Sequence, residues 1–219
     1  PSQPEMSAVA GVRLGTACAG IKGTNGRDVA ILEFAPGTRM SAVFTRNRFR
    51  AAPVHVAEAN LAAATPRYLL INTGNANAGT GEQGLQDARA CCDALARETG
   101  VEVAACVPFS TGVIGEQLPR ERLIAAVPEA LAALDRDGWL QAAGAILTTD
   151  TVPKGASRRV ALANGTVTLT GMAKGAGMIR PDMATMLAFI ATDARLSQQE
   201  VDRFLPEAVR TSFNRITVD

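Results

Sequence analysis

One histidine, one tryptophan and one tyrosine are all that 219 residues contain of those types. With a single imidazole, Ser-His-Asp and Cys-His chemistry would have to run through His55, and a zinc site would lack ligands. His55 lies in Pro53-Val-His-Val-Ala57, a pattern that reads as a strand residue rather than a base or ligand. Aromatics amount to 4%, too few for base-stacking surfaces. The formal charge of +1 gives no electrostatic reason to expect nucleic acid or an anionic membrane as partner. Apolar stretches are broken by Gly, Pro or charge before they reach membrane-spanning length. Pro1-Ser-Gln-Pro-Glu-Met6 lacks the basic and apolar regions of a signal peptide, so cytoplasmic residence is the expectation. The four cysteines (Cys18, Cys91, Cys92, Cys106) lack CxxC spacing and are expected to be buried free thiols.

What is present fits a globular chain of one large or two small domains, 47% hydrophobic and 20% charged. Asp28–Phe34, Ser41–Thr45, Tyr68–Asn72 and Val103–Val107 have the length and apolar content of strands. A helix is predicted from Gln86 to Thr99, with Gly100 as its C-terminal cap. Alanine-rich helical segments follow around 120–134 and 138–147, and Pro128 is expected to kink or divide the first. Asn164-Gly165 predicts a hairpin with a type I′ turn, and Met186–Ala191 a buried strand. Ser197-Gln-Gln-Glu200 fits a capping box opening a last helix. Strands and helices mix without a regular βαβ rhythm, so the fold class is α/β, of mixed α+β character.

The most informative stretch runs from Gly171-Met-Ala-Lys174-Gly-Ala-Gly177 to Ala184-Thr185. Lys174 precedes its glycines, the reverse of a phosphate loop, and no GxGxxG of dinucleotide-binding type is read in the chain. An internal Thr185 could attack the carbonyl of Ala184 and exchange the amide for an ester. Hydrolysis would free an α-amine of ordinary pKa about 8, able to serve the adjacent hydroxyl as base. The plainer alternative is that Thr185 opens a strand by β-propensity. Ser110-Thr111-Gly112 ends a predicted strand and could present backbone N–H groups to an oxyanion. Thr148-Thr-Asp150-Thr combines hydroxyls with an acid, which suits either a polar ligand or a simple turn.

Asn72-Thr-Gly-Asn-Ala-Asn-Ala-Gly-Thr-Gly-Glu-Gln-Gly84, Ser110-Thr-Gly-Val-Ile-Gly115, Thr148-Thr-Asp150, Gly171–Ile179 and Met183-Ala-Thr-Met-Leu187 occur in one order, and together they resemble the ornithine acetyltransferase (ArgJ) family. The resemblance runs from Gly11 to Asp219. It implies an ArgJ- and DmpA-like sandwich of β-sheets flanked by helices. It also implies a self-cleaving glutamate N-acetyltransferase that moves acetyl from N2-acetylornithine to glutamate in a ping-pong cycle. Cleavage between Ala184 and Thr185 would divide the chain into an α region, 1–184, and the start of a β region, 185–219, whose remainder is absent. By the same resemblance Thr185 is the nucleophile, Thr111 and Gly112 form the oxyanion hole, and Thr148 and Lys174 join Thr185 in touching substrate. No metal or organic cofactor is implied; acetyl-CoA is a further substrate only in bifunctional forms. Family members assemble as heterotetramers of two α and two β chains. Two alternatives are a self-processing amidohydrolase or aminopeptidase with the same N-terminal threonine, and an inactive precursor or fragment.

Overall fold

The computed structural model describes residues 3–23, 26–179 and 185–218. Its first sheet has the order β1 (Val12–Ala17), β2 (Val29–Phe34), β3 (Tyr68–Asn75) and β4 (Cys106–Val113). The first two pairings are antiparallel, and β3 runs parallel to β4. The second sheet is an antiparallel meander of β5 (Lys154–Leu162), β6 (Gly165–Lys174) and β7 (Leu187–Thr192). Helices are α1 (Ala52–Ala63), α2 (Gly81–Thr99), α3 (Arg120–Ala132), α4 (Trp139–Ala145) and α5 (Gln198–Thr211).

Alternation within the first sheet explains its layers. Ala30, Leu32, Leu69 and Ile71 enter a core with Trp139 of α4 and with Met172 and Phe189 of the second sheet. Val29, Ile31, Tyr68 and Leu70 point the other way, against Cys91 and Leu95 of α2 and Leu123 and Val127 of α3. A strand covered on both faces must be apolar at successive positions, which is why Val29–Leu32 and Leu69–Ile71 read as continuous runs. Phe109 of β4 and Phe189 of β7 meet edge to face, with ring centroids 5.1 Å apart, and join the two sheets. The architecture is thus α/β with two sheets and flanking helices, as expected.

Several local expectations need correction. Pro53–Ala57 is helical, so His55 is an exposed helix residue and not a strand residue. Proline near a helix start loses nothing, because that N–H has no intrahelical partner anyway. Ser41–Thr45 forms no strand; Phe44 and Met40 pack on the core without ladder hydrogen bonds. Val103–Ala105 is a 3₁₀ turn, and β4 extends to Val113, so Thr111 and Gly112 lie inside the strand end. Helix α2 starts five residues before Gln86, and α3 runs unbroken through Pro128. β1 was not anticipated, since Gly15 interrupts its apolar pattern. The hairpin exists, but Leu162 pairs with Gly165, so its loop is Ala163-Asn164 and the positive φ belongs to Gly165 rather than Asn164. Cys18 is exposed; the other three cysteines are buried as expected. Gly100 in the left-handed conformation and the Ser197–Glu200 capping box are borne out.

Candidate functional site

The parallel strands β3 and β4 end side by side, where polar residues replace the apolar run. Ser110 Oγ donates to Asn72 Oδ1 at 2.6 Å, and Asn72 Nδ2 donates to the Asn75 carbonyl at 2.9 Å. Gly112 faces Gly74 in the ladder, and both have positive φ, +138° and +95°. A Cβ on Gly112 would lie 2.3 Å from the Gly74 carbonyl carbon. Only glycine lets the two backbones approach this closely at that φ.

From the second sheet, Lys174 is the last residue of β6 and points inward, along with Thr168, Thr170 and Met172. It is 3% exposed, and its Nζ donates to Thr111 Oγ1 at 2.9 Å. This contact bridges the two sheets. Because the ammonium takes a lone pair of the hydroxyl, the Thr111 O–H remains able to donate elsewhere. Burial lowers the Lys174 pKa from the ordinary lysine value; the charge of Asp150 opposes that shift, and Lys154 and Lys22 reinforce it. Burial likewise lowers the Lys22 pKa, against the pull of Asp28 and Asp150. Lys22 is placed by Asp28, whose carboxylate accepts the N–H groups of Ala19, Ile21 and Lys22. Lys22 Nζ then reaches the Ala145 carbonyl at 3.3 Å.

Thr148 lies just beyond α4, half-buried, and its N–H donates to Asp150 Oδ2 at 3.4 Å. Asp150 also accepts the Gly175 N–H at 2.8 Å and the Lys154 ammonium. Thr185 is exposed in the turn before β7, with φ +58°. For a β-branched residue that is an outlier, costing on the order of 1–3 kcal/mol. Its carbonyl oxygen lies 3.3 Å from where a Gly175 Cβ would stand, so the two backbones run close to each other. Of the anticipated residues, Thr111 and Lys174 therefore touch directly. Gly112 adjoins Thr111, Thr148 is joined through Asp150, and Thr185 through Gly175. Ala184 lies outside the described residues.

Sequence reasoning gave Asp150 no role of its own and passed over Lys154 and Lys22. An acid followed at i+4 by Lys is a visible signal, but the Gly175 partner lies 25 positions away and leaves none. It also missed that Gly79-Thr-Gly-Glu-Gln-Gly84 has GxGxxG spacing, between β3 and α2 of a parallel β3–α2–β4 unit. Here the loop folds into its own helix start. Asn77 Nδ2 donates to the Gly84 carbonyl, and Thr80 Oγ1 to Asn77 Oδ1. Asn77 is fully buried, and a Cβ on Gly84 would lie 1.9 Å from Thr80 Oγ1. Gly84 is therefore required by packing against Thr80 and Asn77, whereas a Cβ on Gly81 would meet nothing within 4 Å. Among the described residues no group of three or more His, Cys, Asp or Glu could hold a metal ion, and no helix is long and apolar enough to cross a membrane. The buried thiols are held protonated: burial, with Asp87 adding to it, pushes Cys91 up to about 12, and burial alone pushes Cys106 up to about 12.

A family profile described as the ArgJ family matches residues 13–219. The arginine biosynthesis bifunctional protein ArgJ of Methylococcus capsulatus is 55% identical over 218 residues, 100% of this chain and 53% of that protein. The chain thus spans about half the length of the curated relatives it matches. The crystal structure of ornithine acetyltransferase from Mycobacterium tuberculosis, complexed with ornithine, is 35% identical with a TM-score of 0.75, covering 81% of this chain and 95% of that one. An L-aminopeptidase D-Ala-esterase/amidase from Ochrobactrum anthropi, described as a variant of the Ntn hydrolase fold, shares the fold at 12% identity. Its TM-score is 0.53, over 98% of this chain and 71% of that one.

Proposed function

The chain belongs to the ArgJ family, and from that premise we propose that it carries the nucleophile and oxyanion hole of a self-processing glutamate N-acetyltransferase. The observation that carries this reading is the buried contact of Lys174 Nζ with Thr111 Oγ1, with Gly175 of the same turn against the Thr185 backbone. In processing, Thr185 Oγ attacks the Ala184 carbonyl carbon, the C–N bond breaks, and the nitrogen takes the hydroxyl proton. Water then opens the ester and leaves Thr185 with a free α-amine. The region after Thr185 remains tied to the rest, since β7 pairs with β6 along Leu187–Thr192.

In transfer, Thr185 Oγ attacks the acetyl carbonyl of N2-acetylornithine while its α-amine takes the proton. Negative charge gathers on the carbonyl oxygen, where the Thr111 hydroxyl and the Gly112 N–H would donate. The C–N bond breaks, the Thr185 α-ammonium gives its proton to the leaving nitrogen, and ornithine departs, leaving an acetyl ester on Thr185. The amine of glutamate attacks that ester in turn. Lys174 and Thr148 supply a cation and a hydroxyl for the substrate's polar groups. These steps exchange acyl groups and protons and call for no cofactor. Acetyl-CoA is proposed as a second acetyl donor should the chain come from a bifunctional form. An α2β2 assembly in the cytoplasm, within arginine biosynthesis, completes the proposal.

The test is mass spectrometry of the full-length protein after incubation with N2-acetylornithine. An acetyl adduct on Thr185, discharged by glutamate, is the expected result. The competing reading is an amidohydrolase with water as acceptor; adduct loss indifferent to glutamate would establish it instead. Thr111→Val removes one oxyanion donor and keeps the side-chain shape. Its kcat should fall by about 100- to 1,000-fold, read in steady-state assays, whereas a loss under threefold would remove Thr111 from the oxyanion hole.

A further inference from the structure

Asp150 is the charged group whose placement that chemistry does not explain. Its side chain is 0% exposed, although it lies in an irregular segment between α4 and β5. The carboxylate accepts the Gly175 N–H at 2.8 Å, the Thr148 N–H at 3.4 Å and the Lys154 ammonium. Lys154 also donates to the Gly175 carbonyl at 3.1 Å, so the ion pair holds both peptide groups of one residue. Gly175 follows Lys174, has φ +145°, and a Cβ on it would stand 3.3 Å from the Thr185 carbonyl oxygen. Burying a carboxylate is unfavourable unless it is paired and hydrogen-bonded, and here each of its partners belongs to, or directly adjoins, the proposed site. Burial works to raise the Asp150 pKa, but the Lys154 and Gly175 hydrogen bonds outweigh it and hold the carboxyl below its ordinary value.

We propose that Asp150 is a positioning residue for self-cleavage and acyl transfer. Through the Gly175 peptide it fixes Lys174 on Thr111 and the backbone of Thr185 in its turn, and Lys154 is the counter-ion that permits a covered carboxylate there. The inference rests on the reading of Thr185 as nucleophile. Asp150 also sets charge: Lys174 is faced by Asp150, Lys154 and Lys22, with Asp28 beside Lys22. Among the described residues Asp150 is the anion that raises the Lys174 pKa, and removing it leaves Lys154 and Lys22 to lower that pKa further.

The experiment compares wild type, Asp150→Ala, Asp150→Asn, Thr185→Ala and Cys106→Ala in the full-length protein. Cleavage is followed by gel and mass spectrometry, and Lys174 titration by competitive labelling across pH. Asp150→Ala should slow cleavage by about 100-fold, the scale of a misplacement near 1 Å. Asp150→Asn keeps an acceptor for Gly175 and should lose only about 10-fold, with Lys174 labelling displaced to lower pH. Cys106→Ala, a core change remote from the cluster, should lower thermal stability without moving either readout. Asp150 variants that cleave like wild type, or an unmoved Lys174 titration in Asp150→Asn, would overturn the inference while Thr185→Ala stays uncut. An uncut wild type overturns the reading of the site and this inference with it.

Discussion

Thr185→Ala is expected to leave the full-length protein as one uncut polypeptide and to abolish acetyl transfer. The substitution removes the only hydroxyl adjacent to the scissile nitrogen, so neither the acyl shift nor the acetyl ester can form. Loss of a nucleophile that acts as a unit with its base is on the order of a million-fold in kcat. Stability should change little, because Thr185 is exposed and Ala at φ +58° has comparable strain. Thr185→Ser keeps the hydroxyl and should retain cleavage. A gel showing two fragments from Thr185→Ala, or a wild-type acetyl adduct on any other residue, would refute the assignment.

Gly112→Ala should be the most damaging single methyl in the site. At φ +138° an L side chain is strained, and the added carbon would lie 2.3 Å from Gly74 C and 2.5 Å from Asn75 N. Both are backbone atoms of the neighbouring strand, so relief requires β3 and β4 to part at the point where Thr111 is placed. A loss above about 4 kcal/mol is expected, the range reserved for backbone clashes and broken networks, and soluble protein should be scarce. Gly115→Ala is the control: φ is +86° but nothing lies within 4 Å of its Cβ, so only backbone strain of about 1–3 kcal/mol applies. Denaturant midpoints of the two variants provide the check. Equal midpoints would mean that the close approach of β3 and β4 carries no energy.

How legible the chain was depended on the range of the forces involved. The buried strands β2 and β3, the capping box and the Gly100 cap were readable because burial alternation and capping are written within a few residues. Helix α1 was misread because its apolar residues have almost no helical periodicity; its place against β4 and α2, not its pattern, makes it a helix. Gly79–Gly84 shows the converse, a legible spacing whose last glycine is explained by the packing of Asn77 and Thr80 against it.

The sequence by itself determined the ordered motifs, hence the family, the threonine in question and the expected partners Thr111, Gly112, Thr148 and Lys174. It also determined a chain with a single imidazole to use. Only the tertiary structure decided that Lys174 meets Thr111 across two sheets, 63 positions apart, and that Asp150 holds Gly175 against Thr185. Motifs are properties of neighbours along the chain, whereas a hydrogen bond between distant residues exists only where packing has brought their strands together. The common core of the two sheets, built on Ile71, Met172 and Phe189, is what sets the ends of β4 and β6 side by side. The lysine among the glycines thus turns from an oddity of composition into the group whose ammonium meets the Thr111 hydroxyl across the two sheets.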